Sequence, residues 1–230
     1  MRRAILAAAI YLASAFGAMA QSSNAVVVEL FTSQGCSSCP PADAFLHKLA
    51  KRDDVIALGF HVDIWDYIGW KDRFAKREYT ERQRSYARAA GARSIYTPQM
   101  IIGGVDHVIG YNPMETMDLV AKHKAKGYDV ALELTRSGDR VTVEASAEKP
   151  SQMVVQVAQI SPNNQTKIKR GENAGRTISY ANVVTDFDVL KKWNGRGKFK
   201  SSFEAEGDMP VVVIVQRAGH EEILAAAKIN

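Results

Sequence analysis

The chain has 230 residues, of which 46% are hydrophobic and 24% charged, and its formal net charge is +5. That length allows one large domain or two small ones. The mild basic excess gives no reason to invoke a nucleic-acid partner. Beyond the first twenty residues no stretch is long and apolar enough to cross a membrane, which takes about 20 residues.

The N-terminus reads as a secretory signal peptide over residues 1–20. Met1-Arg2-Arg3 supplies the positive start, Ala4 to Phe16 the apolar run, and Ala18-Met19-Ala20 the small residues of a cleavage site before Gln21. The run is short for a membrane anchor. Gln21 rather than cysteine follows the site, which argues against a lipoprotein. Removal leaves 210 residues, and loss of Arg2 and Arg3 lowers the net charge to +3. The mature protein is therefore expected in the periplasm or outside the cell, with no stable membrane insertion.

Val26 to Phe31 is a β-branched apolar run, read as a buried strand. A loop from Thr32 to Gly35 leads to Cys36-Ser37-Ser38-Cys39, and a helix starts around the two cysteines. Pro40 and Pro41 suit a first helical turn. Ala42, Phe45, Leu46 and Leu49 then mark one buried face. Val55 to Phe60 is a second buried strand, and strand, helix, strand implies a parallel pair. His61, Asp63 and Asp66 leave its end, within an aromatic stretch that includes Trp65, Tyr67 and Trp70. A charged helix is predicted from about Arg77 to Ala90, stopped by Gly91. Its arginines, with Arg73, read as a solvated face: Arg77, Arg82, Arg84 and Arg88. Ile95 to Tyr111 reads as a hairpin turning at Gly103-Gly104. A helix opens at Asn112-Pro113-Met114-Glu115, with Asn112 as cap, and ends near Gly127.

After Tyr128 the pattern changes to alternating short strands. They are predicted at 130–134, 140–147, 153–160, 177–184, 197–204, 210–217 and 221–228, which suggests a small antiparallel sandwich. The expected domains are 21–127, an α/β domain, and 128–230, a β-rich one.

The chemistry centres on Cys36 and Cys39, the only two cysteines. A bridge between them closes a loop too small to restrict the unfolded chain much, so the spacing favours chemistry over stapling. A helix N-terminus favours thiolate, the nucleophilic form. Cys36 is the expected attacker and Cys39 the resolving thiol. His61, Asp63 or Asp66 could take a proton from Cys39. The plainer reading makes His61 a structural histidine and the aspartates caps. The aromatic cluster is either a substrate rim or, preferably, packing. No second CxxC completes a zinc set, so no metal is assigned. Two thiolates with His61 or Met100 would still suit Cu(I). Gly171 to Arg176 is a turn-rich loop whose Glu172 and Arg176 either meet a partner or the first domain, or form a surface pair.

The order strand, CxxC, helix, strand, helix, Tyr96-Thr97-Pro98 hairpin, helix resembles the thioredoxin-fold oxidoreductases. More closely, the chain resembles the DUF1223 family of secreted proteins. The residues carrying that resemblance are Glu29 to Asp43, His61-Val62-Asp63, Trp65-Asp66, Gly69-Trp70-Lys71-Asp72, Tyr96 to Met100 and Gly171 to Thr177. It implies a thioredoxin-like domain, a central mixed sheet flanked by helices, followed by a β-rich sandwich-like domain. It also implies a cis proline at Pro98 facing the cysteines, with the Thr97 backbone free to pair with a substrate peptide. The sequence departs from thioredoxin at Ser37-Ser38, where that family has Gly-Pro, and at Gly35, where it has Trp. The expected function is thiol–disulfide exchange on a protein or small-molecule substrate, recycled by a redox partner and needing no cofactor. A redox-silent binding module and a Cu(I)-handling protein are the alternatives.

Overall fold

The structure is a computed structural model that describes residues 18–21, 25–205 and 207–230. The signal-peptide reading falls mostly outside the described residues; the three at its expected end, Ala18-Met19-Ala20, pair with Arg136, Thr135 and Leu134. The chain is mixed α/β and rich in strands, with two sheets and few helices.

Strand β1 (Ala18–Gln21) comes first, and strands β2 (Val26–Thr32) and β3 (Val55–His61) flank helix α1 (Pro40–Leu49). A 3₁₀ turn at Asp66–Ile68 and helix α2 (Arg77–Ala89) follow. Strands β4 (Gln99–Ile102) and β5 (Asp106–Ile109) form the expected hairpin, and α3 (Pro113–Lys126) closes this part. Asn112 caps α3, its Oδ1 accepting from the Glu115 N–H. The rest is strand: β6 (Val130–Ser137), β7 (Arg140–Ala147), β8 (Met153–Lys167), β9 (Thr177–Trp193), β10 (Phe199–Glu204), β11 (Val211–Arg217) and β12 (Ile223–Ile229).

One sheet has eight strands in the order β12-β11-β8-β9-β3-β2-β4-β5. β2 and β3 are parallel, and β4 runs antiparallel to β2. Every residue of β2 and β3 is buried, because both faces are covered. Helices α1 and α3 supply one cover, packing Phe45, Leu46, Leu49 and Val120 on Val28, Leu30 and Met100. On the other face Tyr79 and Tyr86 of α2 meet Phe31, Phe60, Ile160, Val212 and Ile214. The sheet curls around that second cluster, so that the Ile223 N–H reaches the Gly103 carbonyl at 2.9 Å. A four-stranded sheet, β1-β6-β7-β10, packs on the outer strands through Leu132, Val143, Val155, Val213 and Ala227.

The expectation of uniformly short strands after Tyr128 is corrected here. β8 and β9 run for 15 and 17 residues. Their near halves pair β8 with β11, and their far halves carry the hairpin past β3. The joint is narrow. Gly59 pairs with Val183, and a β-carbon at Gly59 would sit 3.2 Å from the Ala181 carbonyl oxygen. The Asn182 amide spans the seam by donating to the Ala57 carbonyl.

The solvated arginine face needs a correction at one residue. Arg82 is buried, and its guanidinium makes a two-pronged pair with Glu29 at 2.7 and 2.8 Å. The Tyr86 hydroxyl also donates to Glu29, and Gln216 donates to that hydroxyl. A lone glutamate inside the run Val26 to Phe31 was the available sign. A carboxylate buried on both sides demands a cation, and the facing helix carries one.

Candidate redox site

β2 and α1 present the cysteine loop between them. After Thr32 the chain makes two consecutive turns, with the Cys36 N–H donating to the Ser33 carbonyl and the Cys39 N–H to the Cys36 carbonyl. Cys36 and Cys39 form a disulfide with Cα atoms 5.4 Å apart. Cys36 is 3% exposed and Cys39 fully buried, whereas Ser37 and Ser38 face solvent.

The helix start differs in detail from the expectation. Cys39, not Cys36, is the cap residue of α1. Pro40 and Pro41 carry no N–H, and the Ala42 and Asp43 N–H groups both donate to the Cys39 carbonyl. These first amides are therefore absent or already engaged. What remains for a Cys36 thiolate is the weaker field of the helix dipole and the Ser38 hydroxyl, 3.4 Å from the Cys36 sulfur.

The loop is held from three sides. From behind, Asp72 Oδ2 accepts the Gln34 N–H at 2.8 Å. From one flank, Trp65 packs so closely that a β-carbon at Gly35 would lie 2.9 Å from its Cβ, so glycine is required where thioredoxin has Trp. The Trp65 indole N–H donates to Thr97 Oγ1 at 2.7 Å, tying the cysteine loop to the Thr97–Pro98 turn. That peptide bond is cis, as the resemblance implies. The Pro98 carbonyl is taken by the Gly110 N–H, while Thr97 lies beyond the first ladder pair, Gln99 with Ile109. From the other flank comes the turn joining β8 and β9. Asn173 donates to the carbonyls of Gln34 and Cys36 at 3.0 and 2.8 Å, and Arg176 donates to the Asn173 oxygen. The sequence reading singled out Glu172 and Arg176 in this turn; the contact is made by Asn173 between them.

Beneath the loop lies a buried acid–histidine cluster. His61 Nδ1 pairs with Asp72 Oδ2 at 2.6 Å. Thr32 Oγ1 donates to Asp43 Oδ1 at 2.8 Å. Burial pushes the Asp43 carboxyl up to about 7, against the opposing pull of His61 and the Thr32 hydrogen bond. The His61 Nε2 and Tyr180 hydroxyl are buried without a partner, and their rings meet edge to face at 4.8 Å.

Of the three proton-transfer candidates, only His61 joins this cluster. Asp63 accepts from Thr80 Oγ1 of α2, and Asp66 accepts the Asp72 N–H, both as local ties. Asp43 escaped the sequence reading, although its place four residues after Cys39 puts it on the same helix face. The aromatic stretch divides. Trp70 donates to Gln34 Oε1 and packs by Gly171, Trp65 braces the loop, and Tyr67 projects outward with 79% exposure. Met100, weighed as a Cu(I) ligand, is buried, and its sulfur accepts from Thr116 Oγ1. Among the described residues no three His, Cys, Asp or Glu side chains gather to hold a metal ion, and no helix is long and apolar enough to cross a membrane.

Comparison with known proteins gives two matches. A family model described as "Protein of unknown function (DUF1223)" matches residues 27–216. A crystal structure of a protein from Agrobacterium tumefaciens is similar at 34% identity with a TM-score of 0.77, covering 89% of this chain and 93% of that one. No curated protein matches.

Proposed function

The chain belongs to the DUF1223 family, described as of unknown function, and from its geometry we propose that it is an exported thiol–disulfide exchange protein of thioredoxin-like ancestry. The observation that carries this reading is a disulfide set between a strand end and a helix start, linked through Trp65 to the Thr97–Pro98 turn. The sheet segment β9-β3-β2-β4-β5, with α1 and α3 on one face and α2 on the other, supports the thioredoxin-like reading. The basic, then apolar, N-terminus supports export to an oxidising compartment.

In this reading a substrate thiolate attacks the Cys36 sulfur and breaks the bond to Cys39. The Cys39 thiolate leaves and takes a proton from Asp43, whose raised pKa suits it to give and regain one near neutral pH. In the reverse direction Cys36 attacks a substrate disulfide, and Cys39, deprotonated by Asp43, resolves the mixed disulfide. Thr97 offers its backbone to an extended peptide, and the exposed Tyr67 stacks on Trp65, which bonds Thr97. A disulfide-containing protein or a small thiol is the substrate class, and a separate redox partner recycles the pair.

The near-complete burial of both cysteines favours the second reading, a binding module with a static disulfide. One experiment separates the two. Full-length Cys39→Ser protein is expressed in a Gram-negative host and recovered from the periplasm. Exchange and export predict a chain starting at Gln21 with partners trapped on Cys36 as reducible adducts. A periplasmic chain with a free, unreacted Cys36 selects the binding module, and an uncleaved chain in the cytoplasm refutes export.

A further inference from the structure

The β8–β9 turn does more than cover the cysteine loop. Asn173 is 1% exposed and spends both hydrogens of its amide on the two carbonyls that bracket Gly35. Its oxygen is fixed by Arg176, so the amide cannot flip without losing all three bonds. The turn itself is pinned by four backbone bonds among residues 168–176, and Gly171 sits against the Trp70 Cβ. Gln34 adds a second tie by donating to Thr166 of β8. Residues more than 130 positions away thus define the backbone on which Cys36 rides.

We infer that Asn173, oriented by Arg176, is a positioning residue that sets the reduction equilibrium of the Cys36–Cys39 pair, making the redox centre a composite of both halves of the chain. The inference rests on the exchange reading above. Its physics is that of differential binding. Reduction separates the two sulfurs and frees the loop to relax. A clamp that fits the closed loop better than the open one favours the disulfide by raising the effective concentration of one thiol at the other. Linkage then requires the converse: reduction must loosen the clamp. A merely architectural asparagine would stabilise both forms equally and leave the equilibrium unmoved.

The test is equilibration of the mature protein with glutathione. One glutathione thiolate attacks the Cys36 sulfur and releases Cys39 as thiolate. A second attacks the mixed disulfide, releasing glutathione disulfide and the Cys36 thiolate. Two electrons pass to the protein, and each new protein thiolate takes a proton from solvent or Asp43. Asn173→Ala is expected to shift this equilibrium toward the dithiol by about tenfold or more, about 30 mV. Arg176→Ala, at an exposed side chain, should shift it the same way by less. Amide exchange across residues 168–176 should quicken on reduction of the wild type, and be equally fast in both redox forms of Asn173→Ala.

If the wild type exchanges with glutathione but both variants stay within twofold of it, the positioning role is wrong. If the wild type does not exchange at all, the functional reading falls and takes this inference with it. Should Asn173→Ala fail to fold, Arg176→Ala and the wild-type amide exchange decide the matter: no shift and no redox dependence overturn the proposal.

Discussion

Asp43 is the buried acid of the proposed exchange step. It is 3% exposed, one turn past Cys39, and shares its surroundings with Thr32 of β2, His61 of β3, Asp72 of the following loop and Tyr180 of β9. Burial raises its pKa from 3.8 to about 7. The folded protein therefore holds a proton between about pH 4 and 7 that the unfolded chain releases. Stability contributed by this group is full below pH 4 and falls as pH rises toward 7, by about 4 kcal/mol at 1.36 kcal/mol per unit. Asp43→Asn keeps an acceptor for Thr32 and has no proton to lose. Urea unfolding of the oxidised protein from pH 4 to 8 should show a wild-type decline that the variant lacks. Parallel profiles would mean that Asp43 is ionised throughout and cannot serve Cys39. The Cys36–Cys39 pair was legible in the sequence because its spacing is local, and the cis bond at Thr97–Pro98 was expected only through the family resemblance. The contacts of Asp72 and Asn173 were not legible, since each reaches Gln34 across 38 and 139 positions.

The elements were legible wherever periodicity alone decides them. The face Ala42, Phe45, Leu46 and Leu49 is buried as the pattern requires, and α3 begins at its Asn112 cap. What the pattern missed is set by tertiary partners. α2 reads as a charged, solvated helix, yet Arg82 and Tyr86 turn inward because Glu29 lies in the middle of the sheet. That pair yields a sharp expectation. Arg82→Met strands a fully buried carboxylate and should cost about 3–5 kcal/mol in urea unfolding. Adding Glu29→Leu removes the stranded charge and should recover most of the loss. A single variant costing under about 1 kcal/mol would place Arg82 back among the solvated arginines.

At the scale of the whole molecule, composition and strand count pointed to an α/β half and a β-rich half. They could not show how the halves share a sheet. β9 lies beside β3, and Ile56, Leu58 and Phe60 of the first half share one apolar cluster with Ala158, Val184, Val212 and Ile214 of the second. Such pairings are non-local and leave no periodic trace in either segment. A fragment of residues 21–127 would expose that cluster and leave the Glu29–Arg82 pair without Gln156 and Gln216. It should therefore show no cooperative urea transition, whereas a sigmoidal transition would mean that the first half folds alone. The shared sheet also places the β8–β9 turn on the cysteine loop, where Asn173 donates to the Cys36 carbonyl.

Whether the Cys36–Cys39 disulfide is chemically active is decided by its reduction potential in purified mature protein. Exchange activity predicts a value between about −120 and −270 mV, the range of dedicated oxidoreductases, reached by ready exchange with glutathione. A value below about −300 mV with slow exchange would mark a structural bridge and contradict it.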